Sequence, residues 1–356
     1  MRNIPPPSPA SIATLPPYAS ARMLAKGEGW TFLDANECPE APDYDRSALP
    51  DINRYPDPTA DALREAIGER FGLVADQVFC ACGIDQIIDL VITTFSEPGN
   101  VIVSAGPTFP LYRYRALVQA RRYAEIPLTE DWQLPDEFCR RIPQNAAILF
   151  LCTPNNPTGT TLPAERIAEI ANTFPGLVIV DEAYGEFADA NDIPSATLLV
   201  REGAENLIVC RTFSKAYRAA GLRLGYALGN ASLISRLQKT KLPYNVNAPA
   251  QTIGLQLWRD RKSMEATVRT LAVRTAALAG SCRRLGCEIP RSITNFFLLR
   301  LPNGRSGTTL YETLRDSERI LVRPSGVING RESLRVTTGT PEENSRFLSA
   351  LTSFLS

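Results

Sequence analysis

Arg211-Thr212-Phe213-Ser214-Lys215-Ala216-Tyr217, followed by Gly221-Leu222-Arg223-Leu224-Gly225-Tyr226, sets one lysine among hydroxyl side chains with an arginine a short way on. The run before it, Leu207-Ile208-Val209-Cys210, is apolar enough for a buried strand, so Lys215 is expected just past a strand end. A lysine held there can form a Schiff base. Most lysines are solvated surface residues, and Ser-Lys is a common pair, so the case rests on what surrounds this one.

The chain has 0 histidines. His-based triads, His metal sites and His general acid/base catalysis are excluded, and any proton transfer falls to Lys, Tyr, Asp, Glu or Cys. Leu177-Val178-Ile179-Val180 runs into Asp181-Glu182-Ala183-Tyr184. An aspartate at the end of a central strand is costly to bury unpaired, so Asp181 either caps a turn or meets a cation. Ala147 to Cys152 is another continuous apolar strand, and the loop Thr153-Pro154-Asn155-Asn156-Pro157-Thr158-Gly159 places two amides at its carboxyl end, where ligands of open α/β sheets sit. Val78 to Cys82 reads as a strand and Gln86 to Phe95 as a helix, with Gly83-Ile84-Asp85 as the turn between them. Backbone amides at such a helix start suit phosphate, although one glycine turn is unspecific. Phe109 follows the strand Val101 to Val103 and either offers a ring for stacking or caps the core.

Other elements must position these groups. Residues 1 to about 30 are rich in Pro, Ser and Ala and form an arm, in which Pro16-Pro17-Tyr18 carries an aromatic that also suits plain packing. Phe32 to Pro39 is a short extended piece. In Asn53-Arg54-Tyr55-Pro56-Asp57-Pro58 the prolines stiffen the loop and hold Tyr55 out, and Thr59 is expected to cap a helix from Ala60 to Phe71. A helix follows over 163–173, another from Ala231 to Lys241, and a single long one from Ala248 to about Leu285 bridges to a smaller C-terminal lobe. That lobe is expected to contain strands at Asn295–Leu301, Ile320–Arg323 and Ser333–Thr337, a helix near Thr308–Asp316 and a closing helix from Pro341. Arg323 and Arg335 lie in its strand-like runs, where arginines are often edge solubilisers. The expected division is an arm over 1–30, a large domain over 31–275 with 31–55 packing partly on the small one, and a small domain over 276–356.

At 356 residues the chain is long enough for two lobes. Its 38 basic and 38 acidic side chains cancel without long runs, which argues against nucleic acid as a partner. No apolar stretch approaches the roughly 20 residues that span a bilayer, and the first residues have no apolar signal core, so a soluble cytoplasmic protein is expected. The 8 cysteines lie mostly in apolar runs without paired spacing and read as buried reduced thiols; no metal site is expected.

Taken in order, Gly83-Ile84-Asp85, Phe109, Asn156, Asp181 with Tyr184, Thr212 with Ser214 and Lys215, and Arg223 all fall at strand ends or helix starts on one predicted side of one sheet. This arrangement resembles the fold-type I pyridoxal-phosphate enzymes, of which Asn-Asn-Pro-Thr-Gly, Asp-Glu-Ala-Tyr and Ser-Lys-Ala-Tyr are markers. Along nearly its whole length the chain resembles the histidinol-phosphate aminotransferase family. The specific matches are Leu33-Asp34-Ala35-Asn36-Glu37, Asn53 to Pro58, Gly221 to Tyr226, Pro243-Tyr244-Asn245-Val246-Asn247, and Leu334-Arg335-Val336-Thr337 with Gly339 to Asn344. It departs from the family at Cys38, at Ile84, where a small residue is more usual, and at Phe109, where a tyrosine is.

The resemblance implies an α/β fold: a large domain with a mostly parallel sheet covered by helices, plus a smaller α/β C-terminal domain. It implies pyridoxal 5'-phosphate as cofactor, held by Lys215 as an aldimine, with Lys215 then shuttling the proton. Asp181 would pair with the ring nitrogen, Tyr184 and Asn156 would bond the phenolic oxygen, and Phe109 would stack on the ring. Ile84 and Asp85 amides, Thr212, Ser214 and Arg223 would hold the phosphate. Arg335 with Arg323 resembles the anion clamp for two unlike substrates, Tyr18, Asn36 and Asn247 would line the pocket, and Tyr55 resembles a residue lent across a homodimer interface to the neighbouring site. The implied reaction exchanges an amino group between L-histidinol phosphate and 2-oxoglutarate in histidine biosynthesis. Aromatic amino-acid aminotransferase and threonine-phosphate decarboxylase are alternatives on the same fold; a ligand-sensing binding module would need an attached DNA-binding segment or a lost lysine.

Overall fold

The computed structural model describes residues 9–17 and 21–356, so Tyr18 lies outside the described residues. Its strands are, in chain order, β1 (Thr31–Phe32), β2 (Val78–Ala81), β3 (Val101–Gly106), β4 (Arg122–Pro127), β5 (Ala146–Cys152), β6 (Leu177–Asp181), β7 (Leu207–Thr212), β8 (Gly225–Gly229), β9 (Phe296–Leu299), β10 (Ile320–Leu321), β11 (Arg323–Ile328) and β12 (Arg331–Thr337). Seven form the central sheet in the order β2-β8-β7-β6-β5-β3-β4. Only β8 runs against its neighbours; the other pairs are parallel.

The apolar runs of β5, β6 and β7 are covered on both faces because successive side chains of a strand point opposite ways. Leu149, Leu151, Val178, Val180 and Val209 enter one core with Leu63, Ile167 and Leu257 from helices Asp61–Phe71, Ala164–Thr173 and Ala248–Arg259. Ile148, Phe150, Ile179, Ile208 and Cys210 enter the other with Ile87, Tyr112 and Leu237 from helices Gly83–Phe95, Leu111–Val118 and Ala231–Thr240. The result is a helix–sheet–helix sandwich whose parallel strands all end on one side.

A second, antiparallel sheet has the order β11-β12-β9, and β1 pairs with β10 in parallel. Leu33, just past β1, enters the core of this lobe with Leu278, Phe297, Leu314, Val336 and Phe347. Helix Arg261–Arg284 reaches that core through Leu278 and Cys282, while its Val268 and Leu271 pack on Tyr184 and Phe187 of the larger lobe. No helix among the described residues is long and apolar enough to cross a membrane.

Several expectations are corrected. The long helix from Ala248 to Leu285 is two helices broken at Asp260 (φ −86°, ψ 62°), whose side chain accepts from the Ser263 amide and caps the second. Thr59 is not the cap of helix Asp61–Phe71. The Asp57 carboxylate takes the Thr59 amide at 2.9 Å and the Asp61 amide at 2.7 Å, and the Thr59 hydroxyl itself donates to Asp57. The turn expected at Gly83-Ile84-Asp85 is already the first turn of helix Gly83–Phe95. Edge strand β4, helix Leu111–Val118 and the glycine-bounded β8 are additions that no apolar run announces. Of the cysteines, all free, Cys82 is exposed and Cys38 and Cys139 are half-buried; the other five are buried as expected.

Candidate active site

Beyond the carboxyl ends of β5, β6 and β7 lies a cavity of about 480 Å³, closed on its far side by Asp34 to Glu37 and by Arg323 and Arg335 of the second sheet. Asp181, the last residue of β6, is 3% exposed. Its carboxylate accepts the Tyr112 hydroxyl at 2.6 Å and the Ala183 amide at 3.0 Å. Burial pushes its pKa up to about 6 even though these two donors pull the other way. A cation set against it would restore its charged form.

Lys215 follows β7 and is half-buried, with Nζ donating to the Ala35 carbonyl at 2.8 Å and lying 5.7 Å from the centre of the Tyr184 ring. Burial first, and then the Arg335 guanidinium, push its pKa down to about 8, with the Glu37 and Asp85 carboxylates opposing. About a tenth of such an amine is neutral at pH 7, far more than for an exposed lysine. The same cavity therefore holds a nucleophilic amine and a buried acid.

At one end of the cavity stands an anion cradle. Helix Gly83–Phe95 begins there with Gly83 at φ +74°, and a Cβ at this position would meet Arg223 Nη2 at 2.9 Å. Arg223 Nη2 reaches the Asp85 carboxylate at 3.0 Å. Thr212 Oγ1 donates to Ser214 Oγ at 3.0 Å, and both residues line the cavity with Ile84 and Asp85. A Cβ on Gly225 would meet the Ile84 amide at 2.8 Å, so β8 is glycine where it passes the helix start. Helix amides, two hydroxyls and a guanidinium in one place suit a phosphate.

Phe109 lines the wall, half-buried, its ring edge-on to Tyr112 at 5.7 Å. Of the two amides after β5, Asn155 builds the loop, bonding Pro107, Thr108 and Thr158, whereas Asn156 opens to the cavity and accepts Arg335 Nη1 at 2.8 Å. Tyr184 is buried against Phe296, and its hydroxyl receives Asn36 Nδ2 at 2.7 Å. Arg335 also donates to the Asp34 carbonyl. Arg323 stands directly opposite Arg335 in the β11–β12 register, and both line the cavity, so neither is an edge solubiliser. Like charges opposed across strands repel, and an anion between them would relieve that.

The predicted residues Ile84, Asp85, Phe109, Asn156, Asp181, Tyr184, Thr212, Ser214, Lys215, Arg223, Asn36, Arg323 and Arg335 thus share one cavity. Two others do not line it in this chain. Asn247 is exposed, and its side chain accepts the Ala250 amide at 2.8 Å as the cap of helix Ala248–Arg259. Tyr55 is 81% exposed and stacks on Tyr244 at 4.4 Å between ring centres.

Sequence reasoning missed Tyr112 and the carbonyl of Ala35, which carry no motif. It also missed Arg211, 2% exposed, which meets Glu182 at 2.8 Å, Asp189 at 2.6 Å and Glu186 at 3.8 Å. An arginine inside an otherwise apolar strand was the available signal, because it must find counter-ions when buried.

Against known proteins, residues 32–351 match the family model described as aminotransferase class I and II. The chain is 33% identical over 354 residues to histidinol-phosphate aminotransferase of Paramagnetospirillum magneticum, covering 97% of each. Among solved structures it superposes with a TM-score of 0.90 on histidinol-phosphate aminotransferase from Sinorhizobium meliloti in complex with pyridoxal-5'-phosphate, at 24% identity and covering 97% of this chain and 96% of that one. L-threonine-O-3-phosphate decarboxylase from Porphyromonas gingivalis shares the fold with a TM-score of 0.71 at 26% identity, covering 85% and 91%.

Proposed function

Because the chain belongs to the histidinol-phosphate aminotransferase family, within the class I and II aminotransferases, we propose that it moves an amino group between L-histidinol phosphate and 2-oxoglutarate, giving imidazole-acetol phosphate and glutamate in histidine biosynthesis. It is a pyridoxal-phosphate-dependent aminotransferase, and its residues fit that cofactor: a phosphate cradle at one end of the cavity, a buried carboxylate, a depressed amine and a ring on the wall. Bound there, pyridoxal phosphate supplies an electron sink conjugated to the amino-bearing carbon of the substrate.

The chain's own groups do the rest. Lys215 would be the attachment point and, when freed, would carry the proton between the amino-bearing carbon of the substrate and C4′ of the cofactor. Asp181 would keep a proton on the ring nitrogen. Tyr184 and Asn156 would bond the phenolic oxygen, Phe109 would pack against the ring, and the Ile84 and Asp85 amides with Thr212, Ser214 and Arg223 would hold the phosphate. The observation that carries the substrate reading is Arg323 opposite Arg335 at the cavity that also holds Lys215. Two guanidiniums suit a phosphate ester in one half-reaction and a dicarboxylate in the other.

We read the enzyme as a cytoplasmic homodimer with a large domain over 31–275 and a small one over 276–356. Free cysteines support a reducing compartment. Tyr55 and Tyr244, with Ile52 at 84% and Leu242 at 72% exposure, supply an apolar surface for a second copy and carry Tyr55 toward its site.

The test is the visible absorption of purified, cofactor-loaded protein mixed with histidinol phosphate and no keto acid. Loss of the visible band, and its return with 2-oxoglutarate, is expected. A band that ignores histidinol phosphate but responds to phenylalanine makes the enzyme an aromatic aminotransferase, and carbon dioxide released from threonine phosphate makes it a decarboxylase; either result overturns the proposed substrate.

A further inference from the structure

We infer that Thr337, on β12, is a positioning residue that fixes the direction in which the Tyr184 hydroxyl donates, acting through Asn36. The inference rests on the reading of Tyr184 as a donor to the cofactor.

Three hydrogen bonds join these residues. The Asn36 backbone amide donates to Thr337 Oγ1 at 3.0 Å, the Thr337 hydroxyl donates to Asn36 Oδ1 at 2.9 Å, and Asn36 Nδ2 donates to the Tyr184 hydroxyl at 2.7 Å. None of the three is more than 3% exposed, so water does not compete. Asn36 sits at φ +51°, a left-handed conformation that asparagine tolerates, and Asn295 Nδ2 grips its carbonyl at 3.1 Å. Its side chain is therefore held between one partner above and one below.

The order of donors follows from the valences. Thr337 Oγ1 already receives the Asn36 backbone hydrogen, and its own buried hydrogen needs an acceptor, which is Asn36 Oδ1. That contact identifies the carbonyl end of the amide, so the NH₂ end must face Tyr184. The phenolic oxygen thus accepts a hydrogen from behind, and its own hydrogen is aimed away from Asn36. Tyr184 lines the cavity, so the hydrogen points into it. If the amide turned over, its carbonyl would take the phenolic hydrogen and the cavity would lose its donor. Thr337 selects between these two arrangements. It lies two residues beyond Arg335 on the same strand, so one strand of the second sheet both presents the substrate-side cation and orders a hydroxyl of the larger lobe.

Thr337→Val keeps the shape and removes the selecting hydroxyl. Cofactor-free protein titrated with pyridoxal phosphate, with the dissociation constant read from absorbance, compares wild type, T337V, Y184F and the double variant. T337V and Y184F are each expected to weaken binding about fivefold, roughly the worth of one neutral hydrogen bond, while the double variant binds no more weakly than Y184F and T337S restores wild-type affinity. Additive losses, or a T337V protein that binds as wild type while Y184F does not, overturn the inference and leave the role of Tyr184 standing. A Y184F protein with unchanged affinity overturns that role, and the inference with it. Should T337V fail to fold, Asn36→Asp serves in its place: it replaces the donor by an acceptor and must weaken binding at least as much, and wild-type affinity there overturns the inference.

Discussion

Arg335 Nη1 donates to Asn156 Oδ1 across 2.8 Å, joining β12 of the second sheet to the loop after β5 of the first. The same guanidinium helps lower the pKa of Lys215, so one residue of the smaller lobe acts on both the loop after β5 and the amine after β7.

Arg335→Gln is expected to raise KM for both substrates by about 10–100-fold, the worth of hydrogen bonds to a charged group. It should also move the pKa of Lys215 upward, because a neighbouring positive charge is gone. Steady-state kinetics with each substrate and the pH dependence of cofactor loading test the two effects separately; an unchanged KM rules out Arg335 as the clamp.

Lys215 carries the second prediction. In cofactor-free protein the rate of loading is expected to rise with pH through about 8, where the free amine appears, and not only near the ordinary lysine value. Borohydride should trap the cofactor on wild type but not on Lys215→Ala, whose kcat falls by about 10⁴-fold or more. A trapped adduct on another lysine would remove Lys215 from its role.

Glu186 is a buried acid outside the cavity. Burial pushes its pKa up to about 7 against the pull of Arg211, and its Oε2 has no hydrogen-bond partner among the described residues. The folded value lies above the unfolded one, so the folded state holds a proton that the unfolded state has released, and stability falls as pH rises from about 4.5 through 7. Glu186→Gln is therefore expected to be more stable than wild type at pH 8, by on the order of 1–3 kcal/mol, with the gain shrinking as pH falls from about 7 and gone by about 4.5. Urea denaturation at the two pH values measures it, and a gain that persists in acid would point to another cause.

At the start of helix Asp61–Phe71, Asp57→Ala is expected to cost about 1 kcal/mol, and Thr59→Ala clearly less. The difference arises because Asp57 accepts the Thr59 and Asp61 amides, whereas the Thr59 hydroxyl only donates to Asp57. Thermal unfolding of the two variants decides between them.

The parallel core and most of the polar lining of the cavity are already legible in the order of residues. Short continuous apolar runs at β5, β6 and β7, bounded by turn formers, read as buried strands, and the polar residues at or just past their ends, Asn156, Asp181 and Lys215, gather where parallel strands end. Local chemistry of this kind survives in one dimension. Which polar groups meet is set by the fold alone. Asn247 and Asn156 are the same side chain in similar loops, yet one caps a helix and the other accepts from an arginine 179 positions away. Asp57 outcompetes Thr59 because the Pro56–Pro58 turn aims its carboxylate at two amides, and Tyr112 finds Asp181 only because a helix without an apolar signature lies under that strand. Thr337 and Asn36, 301 residues apart, each stand in a motif, but nothing in the chain order pairs them until the folded backbone brings them together. Hydrogen bonds depend on distance and direction to a few tenths of an ångström, and chain order carries neither.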